Sequence, residues 1–456
     1  MTITAADIAR YAAGAEIAGP PDAPVTSWAF DSRAVEAGAC FVALRGERDG
    51  HDFVADAFAA GAGVALISAG PPGVQPPAGA AVVQVDDALT ALQQVARAVR
   101  VERADLTVIG VAGSTGKTST KDLLAAVLDA FGCYASPQSY NNEFGVPVTV
   151  LNTPADARVL VAELGERLPG DLALLCEIAR PDLGLITNVG LAHAEHLGGA
   201  AGAAKVMGEL LDALPPGGLA VLNADDTFTP QLAAGHEGEV VTVGYAAGAD
   251  YRIEHVELDE HLHPTFSLHG RRVTVPLHGE HHVINAAFAL ATAHRVFGLD
   301  VAAGAEALRT VRPARWRLEL HTTADGVRIL NDAYNANPTS MEAAVRALAA
   351  LETAGRRIAV LGDMRELGVH HDEAHDALGR RVGELGIDVL IAVGAGGRAI
   401  ADAAAGTVAA VHSAADAEEA LRLVRDLAAP GDIVLVKASR AMGLEIVAER
   451  RLEAAS

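Results

Sequence analysis

The sequence predicts an α/β protein of several domains built on doubly wound, mostly parallel sheets. Three observations carry this. Short apolar runs such as LTVIGVAG, VLVAEL, LGLITNVG and DIVLVKAS recur with helical stretches between them, the spacing of βα units. A glycine-rich loop, GVAGSTGKTST, closes one of these runs and opens a helix. Half of the 456 residues are hydrophobic and only 4% aromatic, a composition able to fill the sizeable cores of two to four domains.

Three units follow in order. Residues 1–104 hold the runs CFVAL, GVALIS and AAVVQV, joined by Gly- and Pro-rich turns and closed by the helix DDALTALQQVARAVRVE. Residues 105–311 begin with the strand that feeds the glycine loop and continue through further buried-type strands. Alternating short strands follow at 250–278, and then the helix NAAFALATAHRVFG. Residues 312–456 alternate the strands GVRIL, RIAVLG, DVLIAVG and DIVLVKAS with amphipathic helices, a second doubly wound pattern.

Charge and targeting narrow the function. Lys plus Arg number 35 against 58 Asp plus Glu, a net charge of −23, so the chain offers no general footprint for nucleic acid. An anionic substrate must be held locally, by helix N-termini, a few cations or Mg²⁺. Cys40, Cys133 and Cys176 stand far apart in no metal-ligand spacing, which points to a reducing compartment. The N-terminal stretch has no apolar h-region. The long uncharged stretch 57–85 is broken by Pro71, Pro72, Pro76 and Pro77, so no membrane insertion is expected and the cytoplasm is.

The glycine loop is the strongest chemical signal. It lacks the first glycine of G-x-x-x-x-G-K-[ST], having Val111 there, but keeps Gly113, Ser114, Thr115, Gly116, Lys117, Thr118 and Ser119 between a strand and a helix. Glycines admit backbone N–H groups to phosphate oxygens, Lys117 reaches the terminal phosphates, and the Thr118 hydroxyl suits Mg²⁺. Glu163 at the end of VLVAEL and His193 beyond LITNVG fall at strand tips beside this loop, where ligand-binding groups gather. Each alone also reads as a surface cap or an ordinary loop histidine. Lys205, in GAAKVMGELL, reads by itself as a solvated lysine. Asn285, in GEHHVINAA, suits either an adenine edge or a helix N-cap. In the third unit, Arg315 and Arg317 lie at the junction, and Asp332, Tyr334, Asn335 and Asn337 crowd one polar loop. Thr339 and Glu342 beyond it have the spacing of a capping box. GAGGRA at 394–399 mimics a dinucleotide fingerprint, but the next strand ends in His412 and Ser413 instead of an acid, so a structural turn is expected.

Together these segments resemble the Mur ligases of peptidoglycan synthesis from end to end: DSRAVEAGACFVALRGERDGHDF, GSTGKTSTK, YNNEFGVPVTVL, GEHHVINAA, NDAYNANPTSM, VLGDMRELG and VLVKASR. The YNANP-x-SM loop points within the family to the substrates UDP-N-acetylmuramoyl-tripeptide, D-alanyl-D-alanine and ATP; a monomeric cytoplasmic enzyme is expected. The resemblance implies a small N-terminal α/β UDP-sugar domain, a central phosphate-loop ATPase domain and a C-terminal Rossmann-like domain. It places the UDP-sugar on Ser32 and Arg33, other substrate contacts on Asn141, Asn142, Tyr334, Asn335 and Asn337, and adenine near Asn285. It places Arg317 and Asp332 on ATP. It implies two Mg²⁺ ions, one on Thr118 and Glu163, the other on Glu163, His193 and a carbamate formed on Lys205. AELGERLPGD departs from the family's usual run through Leu164, Leu168 and Pro169, which leaves room for an amide ligase of the same type acting on a different UDP-sugar peptide or acid.

Overall fold

Strands Trp28–Ala29, Cys40–Val42, Val64–Ser68 and Ala81–Val85 pair in parallel, with an antiparallel edge at Glu16–Ala18, in the computed structural model, which describes residues 3–68 and 75–453. Pro71 and Pro72 lie outside the described residues. The helix Ala88–Glu102 covers one face. Asp87 caps it by accepting from the Thr90 N–H at 2.7 Å. Leu92, Val95 and Val99 enter the first core.

The central sheet has nine strands. From one edge they run Cys133–Ala135, Val159–Glu163, Thr107–Ala112, Leu183–Ile186, Leu219–Asn223, Glu239–Gly244 and Tyr251–Leu258, all parallel, and then Pro264–Leu268 and Arg271–Thr274, antiparallel. Strand Thr107–Ala112 therefore has later strands on both sides, and the chain leaves it in opposite directions. That is the topological switch point at which α/β sheets open a crevice. Both faces of the sheet are covered by helices, which is why its strands read as unbroken apolar runs.

The third sheet has an antiparallel edge, Glu319–Thr322, followed by five parallel strands in the order Arg328–Asn331, Ile433–Lys437, Arg357–Leu361, Val389–Val393 and Ala410–Ala414. GAGGRA opens the helix Gly394–Ala404. A Cβ at Gly396 would lie 2.5 Å from both Asp363 Oδ1 and His375 Nε2, so packing fills the space a nucleotide would need.

The units are joined differently. Ala96 of the first unit's closing helix sits in the central core, and Val148 of the central helix Gly145–Leu151 sits in the first core. Asn152 closes this joint, accepting from the Trp28 N–H at 2.8 Å and donating to the Trp28 carbonyl at 2.9 Å. Arg100, 7% exposed, donates to the carbonyls of Ala179, Arg103 and Arg180 and to Asp182, whose Oδ2 also accepts from the Val108 N–H. The third unit meets the central one mainly through polar contacts.

Truncating Arg100 to Ala strands three carbonyls and a carboxylate at a buried joint. The expected cost is about 3 kcal/mol, read as a lower midpoint of urea unfolding. An unchanged midpoint would show that the joint does not depend on this side chain.

Candidate active site

The phosphate loop is shaped by what surrounds it. Val111 pairs in register with Glu163 and is fully buried in the strand, so the loop begins two residues later than in the standard form. Gly113 has φ +134°, and a Cβ there would lie 2.0 Å from Thr187 Oγ1. Gly116 has φ +81°, and its Cβ would lie 2.6 Å from Asn285 Oδ1. Both positions are thus closed to other residues. The helix Lys117–Val127 starts directly after Gly116, without a side-chain cap, and its first N–H groups face the loop. The loop is fastened to the next strand by Asn188, whose Oδ1 accepts from the Thr115 N–H at 2.9 Å.

Lys117 donates to the Gly113 carbonyl and lies 3.3 Å from Glu166, whose side chain is fully buried. Burial pushes the Glu166 carboxyl up, against the pull of the Lys117 charge. Glu163 is 1% exposed. Its Oε1 accepts from Asn141 at 2.8 Å, while its buried Oε2 has no partner. An orphaned carboxylate oxygen on the wall of a cavity that also presents the Thr118 hydroxyl fits a hard divalent cation. No group of three or more His, Cys, Asp or Glu among the described residues is arranged to hold a metal. Such an ion would therefore be shared with phosphate oxygens and water, as Mg²⁺ usually is.

The third unit completes the cavity, which has a volume of about 320 Å³. Arg317 crosses over to donate to Thr118 Oγ1 at 2.8 Å, its guanidinium 4.2 Å above the Tyr334 ring. Asp332 and Lys437 leave the ends of neighbouring strands and pair at 2.7 Å. Burial draws the Lys437 ammonium down, and the carboxylate beside it opposes this. Asn337 donates to the Ser114 carbonyl at 3.3 Å. His193 lines the cavity and pairs through Nδ1 with Glu366. On the far wall, burial lowers His281 to about 4 and His282 well below its usual range, so both rings are neutral near pH 7.

Most of the expected residues meet here: Ser114 to Ser119, Asn141, Glu163, His193, Asn285, Arg317, Asp332, Tyr334, Asn335 and Asn337. Others do not. Ser32 and Arg33 form a short turn in the first unit, where Arg33 pairs with Asp31 at 2.6 Å and is exposed. Asn142 is spent locally, accepting from the Gly145 N–H at 2.9 Å. Lys205 stands apart from these residues. It faces solvent on the helix Ala200–Asp212, while Val206 and Met207 take the buried face, and it does not line the cavity. The helix after the NDAYNANP loop is capped by Asn337 with Ser340, not by Thr339 with Glu342, because Pro338 occupies the first helical position. Asn285 lies in the first turn after His281, so it is not an N-cap.

Sequence reasoning passed over Glu166, Glu366 and Lys437. Only Lys437 carried a plain signal, a buried lysine ending a strand otherwise wholly apolar.

Comparison with known proteins agrees with this geometry. The Mur ligase catalytic domain matches residues 24–100, the Mur ligase middle domain 111–293, and the Mur ligase glutamate ligase domain 316–440. The chain is 40% identical to the UDP-N-acetylmuramoyl-tripeptide–D-alanyl-D-alanine ligase of Mycobacterium tuberculosis (strain H37Rv), across 98% of this chain and 97% of that one. It is 36% identical to the enzyme of that name from Bacillus subtilis, across 93% of each. Among solved structures, MurF from Acinetobacter baumannii superposes with a TM-score of 0.84 at 30% identity over 99% of both chains. MurF from Thermotoga maritima in complex with ADP gives 0.77 at 28% identity, covering 94% of this chain and 98% of that one. On these matches the chain belongs to the Mur ligase family.

Proposed function

We propose that this protein joins D-alanyl-D-alanine to UDP-N-acetylmuramoyl-tripeptide in an ATP-driven reaction of peptidoglycan precursor synthesis, working as a cytoplasmic monomer. The observation that carries the reading is a single cavity shared by a phosphate loop, an orphaned buried carboxylate and the NDAYNANP loop of another unit. The names of the relatives supply the substrates.

In this reading ATP lies on Gly113 to Ser119 with its base toward Asn285 and the two neutral histidines. Lys117 exchanges Glu166 for the terminal phosphates. Arg317 exchanges the Thr118 hydroxyl for the nucleotide, and Asp332 holds Lys437 beside it. Mg²⁺, held by Thr118 and Glu163 with His193 nearby, would neutralise phosphate charge and polarise the γ-phosphoryl group. The tripeptide carboxylate attacks the γ-phosphorus, giving an acyl phosphate and ADP. The dipeptide amine then attacks the acyl carbon, and phosphate leaves through a tetrahedral intermediate. The protein contributes chiefly positioning and charge neutralisation.

The dipeptide has its own place. A second cavity of about 290 Å³ adjoins the first across His193, Tyr334, Asn335 and Asn337, and Arg365 and Arg440 line its far side. Arg440 pairs with Glu445 at 2.5 Å, whereas Arg365 forms no salt bridge among the described residues and so suits the dipeptide carboxylate. The UDP-sugar falls to Ser32 and Arg33. A carbamate on Lys205 has no part in this reading, since that side chain faces away from the cavity.

The deciding assay is phosphate release from ATP with the UDP-tripeptide, with and without D-alanyl-D-alanine. Release that needs both supports the reading. Release with a different amine, and none with this dipeptide, would favour a sibling ligase. Within that assay Lys117→Ala should slow turnover on the order of 10²- to 10³-fold while the protein stays folded; near-normal rates would remove Lys117 from phosphate binding.

Arg365→Met should raise the KM for the dipeptide about tenfold or more and leave that for ATP nearly unchanged. An equal effect on both would displace the dipeptide from the second cavity.

Lys205→Arg should retain most of the wild-type rate, because an exposed cation replaces an exposed cation. Loss comparable to that of Lys117→Ala would return Lys205 to the metal shell.

A further inference from the structure

Among the described residues of the third unit, Glu366 grips the central unit by both its side chain and its backbone. It follows the strand Arg357–Leu361 and has φ +61°, a left-handed conformation unusual for a glutamate. One carboxylate oxygen accepts from Arg167 at 2.7 Å, and the other pairs with His193 Nδ1. Its carbonyl accepts from the Glu195 N–H at 3.0 Å. Two residues on, Gly368 has φ +54°, and a Cβ there would lie 3.0 Å from Glu195 Cα. The turn is therefore pressed against the short helix Ala194–Leu197 that follows His193. Arg167 is itself presented by a built loop. Asp171 Oδ2 accepts from the N–H groups of Arg167 and Leu168 at 2.9 and 2.7 Å. Arg167 stands beside Leu168 and Pro169, where this run departs from the family pattern, and the ligase reading gives Arg167 no role.

We propose that Glu366 is a positioning residue that couples closure of the third unit to the orientation of His193. Resting on the ligase reading for its purpose, the device works as follows. An imidazole with one nitrogen committed to a carboxylate is fixed in tautomer and ring orientation, leaving Nε2 as the nitrogen open to the cavity. The committing carboxylate belongs to the other unit. His193 is therefore fixed only while the units are closed, and Arg167 holds the carboxylate in place by its second oxygen. Left-handed backbone at both His193, φ +54°, and Glu366 keeps the two loops in the one arrangement that lets them meet. A mis-docked or open third unit leaves the ring free to rotate, so the reacting groups are complete only after closure.

The test uses the full-length protein with ¹⁵N-labelled histidine, and His193→Asn identifies the ring signals. Long-range ¹H–¹⁵N spectra of the substrate-free protein should show His193 as a single tautomer protonated at Nδ1. Glu366→Gln and Arg167→Met should both convert it to an exchanging or Nε2-protonated ring. Small-angle scattering should show both variants more open than the wild type. In turnover, Glu366→Gln should lower kcat about 10- to 100-fold, with the KM for ATP changed less than about threefold, and Glu366→Asp should recover part of the loss. Arg167 is largely exposed, so Arg167→Met keeps the test available if Glu366→Gln fails to fold. An unchanged His193 tautomer in both variants overturns the proposal, as does a fall in kcat with no change in tautomer or opening. The spectra and scattering need no substrate, so they decide this point even if the wild type proves inactive with the dipeptide.

Discussion

Everything in the site depends on how strand Thr107–Ala112 is paired. It lies between two parallel partners, with Gly110 opposite Ala162 on one side and Gly184 on the other. The first register sets Val111 beside Glu163 and so puts the orphaned carboxylate next to the root of the phosphate loop. The second sets Ala112 beside Ile186 and brings Thr187 and Asn188 against the loop's backbone. A slip of one residue would turn the apolar side chains of the strand to the wrong faces of a sheet buried on both sides. A two-residue slip would keep the faces but draw the root of the phosphate loop away from Glu163.

The third unit repeats the logic at its own strand ends. Asp332 follows one strand and Lys437 ends its parallel neighbour, and their pairing holds a buried ammonium that would otherwise be costly. The two crevices face each other, so residues nearly two hundred positions apart, such as Thr118 and Arg317, touch.

The sequence made much of this legible because function and fold use the same punctuation. Strand ends, glycines and polar loops are where a parallel sheet must change direction, and also where ligands bind. Glu163, His193 and Asn337 were readable for that reason. Lys205 was not, because a helix shows its facing only through its neighbours, and the run AAGAAKVMG is apolar on nearly every side. Helix Gly145–Leu151 is harder still. GVPVTVL is rich in β-formers, and it is helical because Asn142 accepts from the helix's first N–H group and both neighbouring cores receive its side chains. Glu166 and Glu366 carry no local pattern at all. Their partners, Lys117 and His193, are 49 and 173 residues away.

The two joints between units differ in what water can replace. Between the first and central units, apolar side chains and the Arg100 clamp are buried, and solvent offers them nothing equivalent. Between the central and third units the ties are mostly hydroxyls, amides and charges, with Leu191 and Leu262 adding an apolar share. Groups of that kind exchange a protein partner for water, or for a phosphate or carboxylate, at little net cost. The first two units therefore offer an elongated ligand one continuous rigid bed. The third is tied by groups that can change partner at little cost, so its hold on the central unit is the more readily exchanged of the two.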